Sequence, residues 1–319
     1  MGGTRFTGLN LAKLLALKGH EVVVASRRRP GSIVGLESLQ GERSELLRLL
    51  RNRKFDAVLD FMAYNEADVV SAFENIDTKQ YVLISTTWLP RFADFSLPNT
   101  PVLRSNLELL KDVPAVTKRY LEGKVMAESA VHKIRSTRPY ATIVRLPVMT
   151  GPRDSTRRLD FYRARILDRG GLIIVNNSSH KIQFALSMDL ARALGEWIEN
   201  HEMMVTDIWE GLPPDSITWK EFLSSLADLD KVELRLFVMS RNVLEKRLWE
   251  YLNSDPFWRE KEMELSHTNL FNVTSVNITS HRIWMKELGP TDILLSDNRL
   301  RKKERELISE IYDFHPPTH

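Results

Sequence analysis

The sequence has 319 residues, of which 43% are hydrophobic and 27% charged, with a formal net charge of +3. It contains no cysteine, which excludes disulfides, thiol nucleophiles and thiolate metal sites. No apolar run reaches the roughly 18 residues that a membrane helix needs. The composition therefore predicts a soluble, cytoplasmic globular protein with a substantial core and no membrane partner.

The chain opens on a glycine-rich turn at residues 2–8, followed by leucines at helical spacing and an apolar strand at 21–26. Turn, helix and strand in this order form the front half of a dinucleotide-binding βαβ unit. The glycines let the backbone approach a pyrophosphate, whose charge meets free N–H groups at the helix N-terminus. Only Met1 precedes the turn, where a buried parallel strand belongs. We expect that strand to lie upstream or to be absent.

Strands and helices then alternate. The predicted strands lie at 57–61, 81–87 and 141–146, and the predicted helices at 44–52, 65–76 and 118–137. Residues 88–118 are interpreted as irregular, and loops of such length are often functional. The alternation predicts an α/β protein with a doubly wound parallel sheet, in which ligands bind at the edge formed by the strand carboxyl ends.

The pattern loosens beyond Gly151-Pro152. We therefore expect a Rossmann-like domain over residues 1–150. A smaller α/β substrate-binding region would cover 151–319, with some segments returning to the first sheet. The elements predicted in this second region are helices at 157–168, 188–200, 219–228, 241–253 and 301–312, and short strands at 172–175 and 206–209.

The end of the strand at 21–26 indicates the cofactor. In dinucleotide-binding folds this position meets the adenosine ribose, where an acidic residue favours a free 2′-hydroxyl and an arginine accommodates a 2′-phosphate. Arg27 and Arg28 stand here, without an acidic neighbour. They favour NADP over NAD. Two solvated arginines in a turn are the alternative interpretation.

Tyr120 and Lys124 lie one helical turn apart on the same face of a predicted helix. A lysine ammonium beside a tyrosine lowers the pKa of the phenol, ordinarily about 10. Such a pair can exchange a proton with a substrate hydroxyl or carbonyl while a nicotinamide exchanges hydride. Hydroxyl residues at 85–87, at the end of the preceding strand, could bind the same substrate oxygen.

These features together resemble the extended short-chain dehydrogenase/reductase family, the NAD-dependent epimerases and dehydratases. The matching stretches are residues 2–8, 55–60, 84–86, 144–152, 189–191 and 287–289, with Tyr120, Lys124 and Glu128. The Gly-Gly-Thr-Arg-Phe form of the turn resembles a subgroup of bacterial reductases and epimerases. That subgroup also includes the chloroplast stem-loop RNA-binding proteins.

The resemblance implies roles for individual residues. It makes Tyr120 the catalytic acid and base, Lys124 the residue that binds the nicotinamide ribose, and Thr86 the partner of the substrate oxygen. Ser85 and Thr87 are the alternatives to Thr86. The residues implied at the pyrophosphate, adenine and nicotinamide are Gly2, Arg5, Phe6, Gly8, Glu42 and Pro147. Those implied at the substrate are Arg157, Arg158 and Tyr162, where an arginine could hold a nucleotide diphosphate bidentately.

We therefore expect an NAD(P)-dependent oxidoreductase or epimerase that acts on a hydroxyl or keto carbon of a nucleotide sugar or a similar polar metabolite. Thr87 and Trp88 stand where the 4,6-dehydratases carry Asp-Glu, which disfavours dehydration. A non-catalytic or RNA-binding protein on the same fold is the alternative, since the chain is mildly basic and lacks the first strand. The histidines show no metal-ligand spacing, so no metal is expected. The resemblance also implies a homodimer through the helices at 65–76 and 118–137.

Overall fold

The computed structural model describes residues 1–28, 35–93, 99–108, 114–152, 154, 156–175, 179, 181–200, 207–256, 262–288 and 298–313. The strands are β1 (Val22–Ser26), β2 (Leu36–Gln40), β3 (Lys54–Asp60), β4 (Asp77–Thr86), β5 (Ala141–Leu146), β6 (Met149–Thr150), β7 (Leu172–Val175), β8 (Lys181–Ile182), β9 (Ala185–Leu186), β10 (Ile208–Glu210), β11 (Ile217–Thr218) and β12 (Leu236–Met239). The helices are α1 (Phe6–Leu17), α2 (Arg43–Leu50), α3 (Glu66–Asn75), α4 (Trp88–Phe92), α5 (Arg104–Glu108), α6 (Ala115–Ile134), α7 (Arg158–Leu167), α8 (Ser187–Glu199), α9 (Trp219–Asp230), α10 (Arg241–Arg247), α11 (Trp249–Ser254), α12 (Leu270–Val273), α13 (His281–Trp284) and α14 (Asn298–Tyr312).

The chain divides into two compact units, each built from separate stretches of sequence. The first comprises Met1–Met149, Phe184–Pro214 and Met263–Ile278. The second comprises Thr150–Gln183, Asp215–Glu262 and Thr279–His319. After Met149 the chain therefore leaves the first unit and returns to it twice.

A parallel sheet with the strand order β10-β5-β4-β3 lies at the centre of the first unit. Leu83 and Ile84 of β4 pair with Ile143 and Val144 of β5, so successive positions stay in register across the sheet. Strands β1 and β2 form a separate parallel pair in the same unit. The predicted α/β parallel sheet is confirmed.

Helices cover both faces of this sheet, because successive side chains of a strand point to opposite sides. Leu83 and Ile143 belong to a core with buried residues of α2, α3 and α6. Ile84 and Val144 belong to another core, with buried residues of α1, α8 and α12. This burial on both faces is why residues 81–84 of β4 and 143–144 of β5 are apolar at consecutive positions. The sheet is doubly wound, as predicted.

Met1 and Gly2 link the pair β1–β2 to the four-stranded sheet. On one side, the Gly2 N–H donates to the Ala25 carbonyl at 2.8 Å. On the other, the Met1 ammonium donates to the Leu59 carbonyl at 2.8 Å, and the Phe61 N–H donates to the Met1 carbonyl at 3.1 Å. These two residues therefore extend between the ends of β1 and β3, and burial lowers the pKa of the Met1 ammonium.

The second unit contains small sheets and a buried network of ion pairs. Strands β7 and β12 pair in parallel, and β8 and β11 pair antiparallel. Arg301 bonds Asp168 and Glu304 at 2.6 Å each, and Arg165 bonds Glu304 at 2.6 Å. Because buried charges are costly unless paired, these residues depend on one another to fold.

Three element predictions differ from the structure. The stretch interpreted as irregular contains the short helices α4 and α5, and α6 begins at Ala115, before residue 118. Pro90 fits α4 because it lies in the first turn, where its missing N–H has no helical partner to lose. The predicted helix at 241–253 is broken at Leu248. Strand β2 was not predicted, and Thr206, the start of another predicted strand, lies outside the described residues.

Candidate functional site

The glycine turn before α1 leaves no space for a side chain at Gly2 or Gly8. Gly2 has φ of +87°, and a Cβ there would come within 2.8 Å of the Met62 Cγ atom. A Cβ on Gly8 would come within 3.0 Å of the Gly3 Cα atom. The turn can therefore pack this tightly only with glycine at these two positions.

Helix α1 begins directly after this turn with its first N–H groups uncapped. Arg5 is the N-cap residue and makes no side-chain capping bond, and the first turn holds no acidic residue. Phe6 follows in a left-handed conformation, with φ of 46°. An uncapped helix start behind a glycine turn suits an anionic group such as a pyrophosphate.

The end of β1 adjoins the glycine turn. The Ser26 hydroxyl donates to the Thr4 hydroxyl at 3.2 Å, which ties the strand end to the turn. The exposed residues Arg27 and Arg28 follow. This arrangement fits the predicted contact with a 2′-phosphate, which stays a prediction.

Glu42, predicted at the adenine, is exposed at the start of α2. Its N–H donates to the Glu45 carboxylate at 3.0 Å, so the residue takes part in capping the helix. Pro147 is buried directly after β5, where the chain leaves the sheet at its carboxyl edge. Contacts of these two residues with a cofactor stay predictions.

Three hydroxyl residues end β4. The Thr86 hydroxyl oxygen accepts the Trp88 N–H at 3.2 Å and keeps its own hydrogen to donate. The buried hydroxyls of Ser85 and Thr87 have no hydrogen-bond partner in the part of the chain that the structure describes. The strand end therefore offers several hydroxyls for a substrate oxygen, and the choice of Thr86 among them stays a prediction.

Lys124 is buried in α6, with only 2% of its surface exposed. Its ammonium donates to the carbonyls of Ala63 and Ile84, each at 2.8 Å. Burial lowers the pKa of Lys124 from 10.5 to about 8, although the nearby carboxylates of Asp60 and Glu128 oppose this. An ammonium has three donors, so one N–H remains after these two bonds.

Tyr120 lies one turn before Lys124 on the same helix and is partly buried. Its ring packs against the apolar cluster formed by Leu89, Val102, Leu107, Leu121 and Val125. Its ring centroid also lies 6.3 Å from that of Tyr64. Tyr64 was missed by the sequence reasoning because it follows β3, far from the Tyr120 motif.

The loop at residues 61–64 connects the glycine turn with Lys124. Its Met62 side chain lies against Gly2, and its Ala63 carbonyl accepts the Lys124 ammonium. The turn that suits a pyrophosphate and the lysine that suits a ribose therefore lie against the same four-residue loop. The sequence motifs do not indicate that the turn and the lysine lie close together.

Asp60, just before this loop, ends the matching stretch 55–60, but no role was predicted for it. Its carboxylate is fully buried and accepts both terminal nitrogens of Arg43, at 3.2 and 2.7 Å, and the Tyr81 hydroxyl at 3.0 Å. Burial opposes its ionisation, but the Arg43 guanidinium holds its pKa below the ordinary value. An acidic residue ending a buried strand was the only signal in the sequence.

Arg145 of β5 lies in register between Ser85 of β4 and Glu210 of β10. Its guanidinium bonds both carboxylate oxygens of Glu128, at 2.9 and 2.6 Å. The Glu210 carboxylate accepts the Ser266 N–H at 2.8 Å, and burial raises its pKa to about 7. A buried polar row therefore underlies the carboxyl edge of the sheet.

The residues predicted at the substrate belong to the second unit. Arg157 precedes α7 and bonds Asp160, and Arg158 bonds Asp154 at 3.3 Å. Tyr162 is buried, and its hydroxyl donates to Asp255. Tyr162 thus packs in the interior of its unit, and the substrate roles of Tyr162 and of the two arginines stay predictions.

No group of three or more potential metal ligands occurs among the described residues. No described helix is long and apolar enough to cross a membrane.

A parallel sheet with helices on both faces and a glycine turn at its carboxyl edge defines a Rossmann-type fold. Neither the protein-family models nor the curated proteins give a match to this chain.

Solved structures do match it. A UDP-galactose 4-epimerase is 16% identical with a TM-score of 0.64, and the alignment covers 98% of each chain. The UDP-glucuronic acid 4-epimerase from Bacillus cereus, in complex with NAD, is 14% identical with a TM-score of 0.64, covering 95% of this chain and 98% of that one. RMD from Pseudomonas aeruginosa, complexed with NADPH, is 14% identical with a TM-score of 0.56, covering 90% and 95%. At these identities the likeness establishes the fold.

Proposed function

We propose that this protein is an NAD(P)-dependent epimerase or oxidoreductase that acts on a hydroxyl or keto carbon of a nucleotide sugar. The observation that carries the proposal is the loop at residues 61–64, which contacts the glycine turn and holds the Lys124 ammonium. The fold supports the same conclusion, since the solved structures that share it include epimerases of UDP-sugars and proteins complexed with NAD or NADPH.

The residues fit a dinucleotide. Gly2 and Gly8 let the turn pack tightly on Met62 and on Gly3, and the uncapped start of α1 directly follows this turn. Lys124 retains one N–H for a ribose hydroxyl, and Arg27 and Arg28 stand where a 2′-phosphate would favour NADP. The nicotinamide, when bound, supplies hydride exchange with the substrate carbon.

Tyr120 moves the proton in this proposal. When a substrate hydroxyl is oxidised, the Tyr120 phenolate takes the hydroxyl proton, and it returns a proton when a carbonyl is reduced. The Lys124 ammonium, one turn away, favours the phenolate by its charge. Thr86 holds the substrate oxygen by donating its hydroxyl hydrogen. Arg157 or Arg158 would pair with the nucleotide diphosphate.

Calorimetric titration with NADPH and with NADH tests the cofactor. We expect binding of both, tighter for NADPH, and we expect Arg27→Ala to remove the preference while Arg48→Ala, at an exposed arginine of α2, retains it. Failure of both cofactors to bind would contradict the proposal.

Turnover of UDP-sugars by the native chain and by Tyr120→Phe tests the chemistry. Loss of the phenol should abolish turnover and leave cofactor binding unchanged, since general acid–base groups contribute about 10²–10⁴-fold to rate. Unchanged turnover in this variant would exclude Tyr120 as the proton carrier. The homodimer and the RNA-binding alternative stay predictions.

A further inference from the structure

Tyr64 is a residue of this site that no motif assigns. The residue is 50% exposed. The Lys124 ammonium nitrogen lies over this ring, 4.9 Å from the centroid, and the Tyr120 ring lies 6.3 Å away. An ammonium over an aromatic face is attracted by the ring quadrupole. Tyr64 therefore joins Tyr120 and Lys124 in one cluster.

The main chain of Tyr64 is fixed from both sides. Its N–H donates to the Asp68 carboxylate at 2.8 Å. Its carbonyl oxygen lies so close to α6 that a Cβ on Gly123 would come within 2.2 Å of it. The absence of a side chain at Gly123, next to Lys124, thus allows the loop to pack directly on the helix. Because the main chain of Tyr64 is held in place, the part of this residue that can move is its side chain.

The N–H groups of the Lys124 ammonium indicate what the Tyr64 side chain does. Two N–H groups of the ammonium are used by the carbonyls of Ala63 and Ile84. The Tyr64 ring lies against the ammonium, whose residue is only 2% exposed. A ligand hydroxyl must come close to the ammonium to accept its remaining N–H. The Tyr64 ring borders the space that such a hydroxyl would occupy.

We propose that Tyr64 is a gate on Lys124: its ring shields the third N–H of the ammonium, and a ligand hydroxyl displaces it by rotation of the side chain. The identity of that hydroxyl as the cofactor ribose rests on the proposed function. The gate itself does not, since it concerns access to Lys124 in the protein alone.

Acylation of Lys124 by acetic anhydride, quantified at that residue by mass spectrometry, tests the gate without cofactor. Lys124 in the Tyr64→Ala variant should be acylated at least about tenfold faster than Lys124 in the native chain, because the shielding ring is gone. Tyr64→Phe, which keeps the ring, should match the native rate. Equal rates in all three proteins would overturn the gate. Circular dichroism verifies that the variants fold, as expected for a half-exposed residue.

NADPH titration of the same three proteins gives the second arm. Removing the ring removes the cost of displacing it, so Tyr64→Ala should bind about two- to fivefold tighter than the native chain and Tyr64→Phe. Weaker binding by Tyr64→Ala would overturn the gate and make the ring a wall of the cofactor site. If none of the three proteins binds NADPH, the proposed function is contradicted. The acylation rates would still show whether Tyr64 shields Lys124.

Discussion

Replacing Lys124 by methionine removes a buried ammonium from α6, and the structure predicts how this changes stability with pH. The pKa of Lys124 is 10.5 in the unfolded chain and about 8 in the folded protein, because burial disfavours the charged form. The difference corresponds to about 3 kcal/mol. Between these two pH values the unfolded state binds more protons, so the contribution of Lys124 to the free energy of unfolding rises with pH.

Urea unfolding at pH 7.5 and at pH 9.5 measures this contribution. The free energy of unfolding of the native chain, minus that of Lys124→Met, should increase by about 2 kcal/mol between the two pH values. Taking the difference cancels the other groups that titrate in this range, and the lost bonds to Ala63 and Ile84 add an offset at both pH values. Lys133→Met, at an exposed lysine of the same helix, controls for losing a lysine from α6. A difference that does not change with pH would refute the desolvation of Lys124.

Three further changes test the packing around the site, each by urea unfolding. Gly123→Ala places a Cβ within 2.2 Å of a backbone oxygen of the loop after β3 and should destabilise by about 1–3 kcal/mol. The matched Gly195→Ala in α8, where the Cβ would lie an ordinary 3.6 Å from its neighbour, should be neutral or stabilising by up to about 1 kcal/mol; equal effects would contradict the argument. Burial raises the pKa of Glu210 to about 7 from 4.5, so the contribution of Glu210 to the free energy of unfolding falls by about 3 kcal/mol as pH rises through this interval. The free energy of unfolding of the native chain minus that of Glu210→Gln should fall accordingly. Arg43→Met leaves the buried Asp60 carboxylate without its bidentate partner and should cost about 3–5 kcal/mol at pH 7, and a loss below about 1 kcal/mol would show that the pair is dispensable.

Much of the first unit could be predicted from the sequence because a parallel strand that is covered on both faces is apolar at most of its positions. The strand predicted at 141–146 is β5 with the same bounds, and all six of its residues are buried. Strand β2 was missed for the opposite reason. Leu36–Gln40 is a short, largely exposed strand that pairs with β1 alone among the described strands, so its sequence carries no apolar run.

The candidate site, too, could be predicted only where a local sequence pattern marks it. The glycine turn and the spacing of Tyr120 and Lys124 are local features, and each can be recognised from a few neighbouring residues. The Lys124 ammonium, however, donates to the carbonyl of Ala63, which lies 61 positions away in the sequence. Neither this bond nor the ring of Tyr64 over the ammonium leaves a signal near Lys124 in the sequence.

The sequence by itself therefore determined the alternation of the longer strands and helices, the glycine turn and the types of side chain that could do chemistry. These depend on backbone sterics and on the periodicity of apolar residues over short distances. Only the tertiary structure decided which of those side chains lie close to one another. The pKa of Lys124, the bidentate pair of Asp60 with Arg43 and the position of Tyr64 all follow from that. Desolvation and the pairing of charges depend on groups that folding brings together from distant parts of the chain.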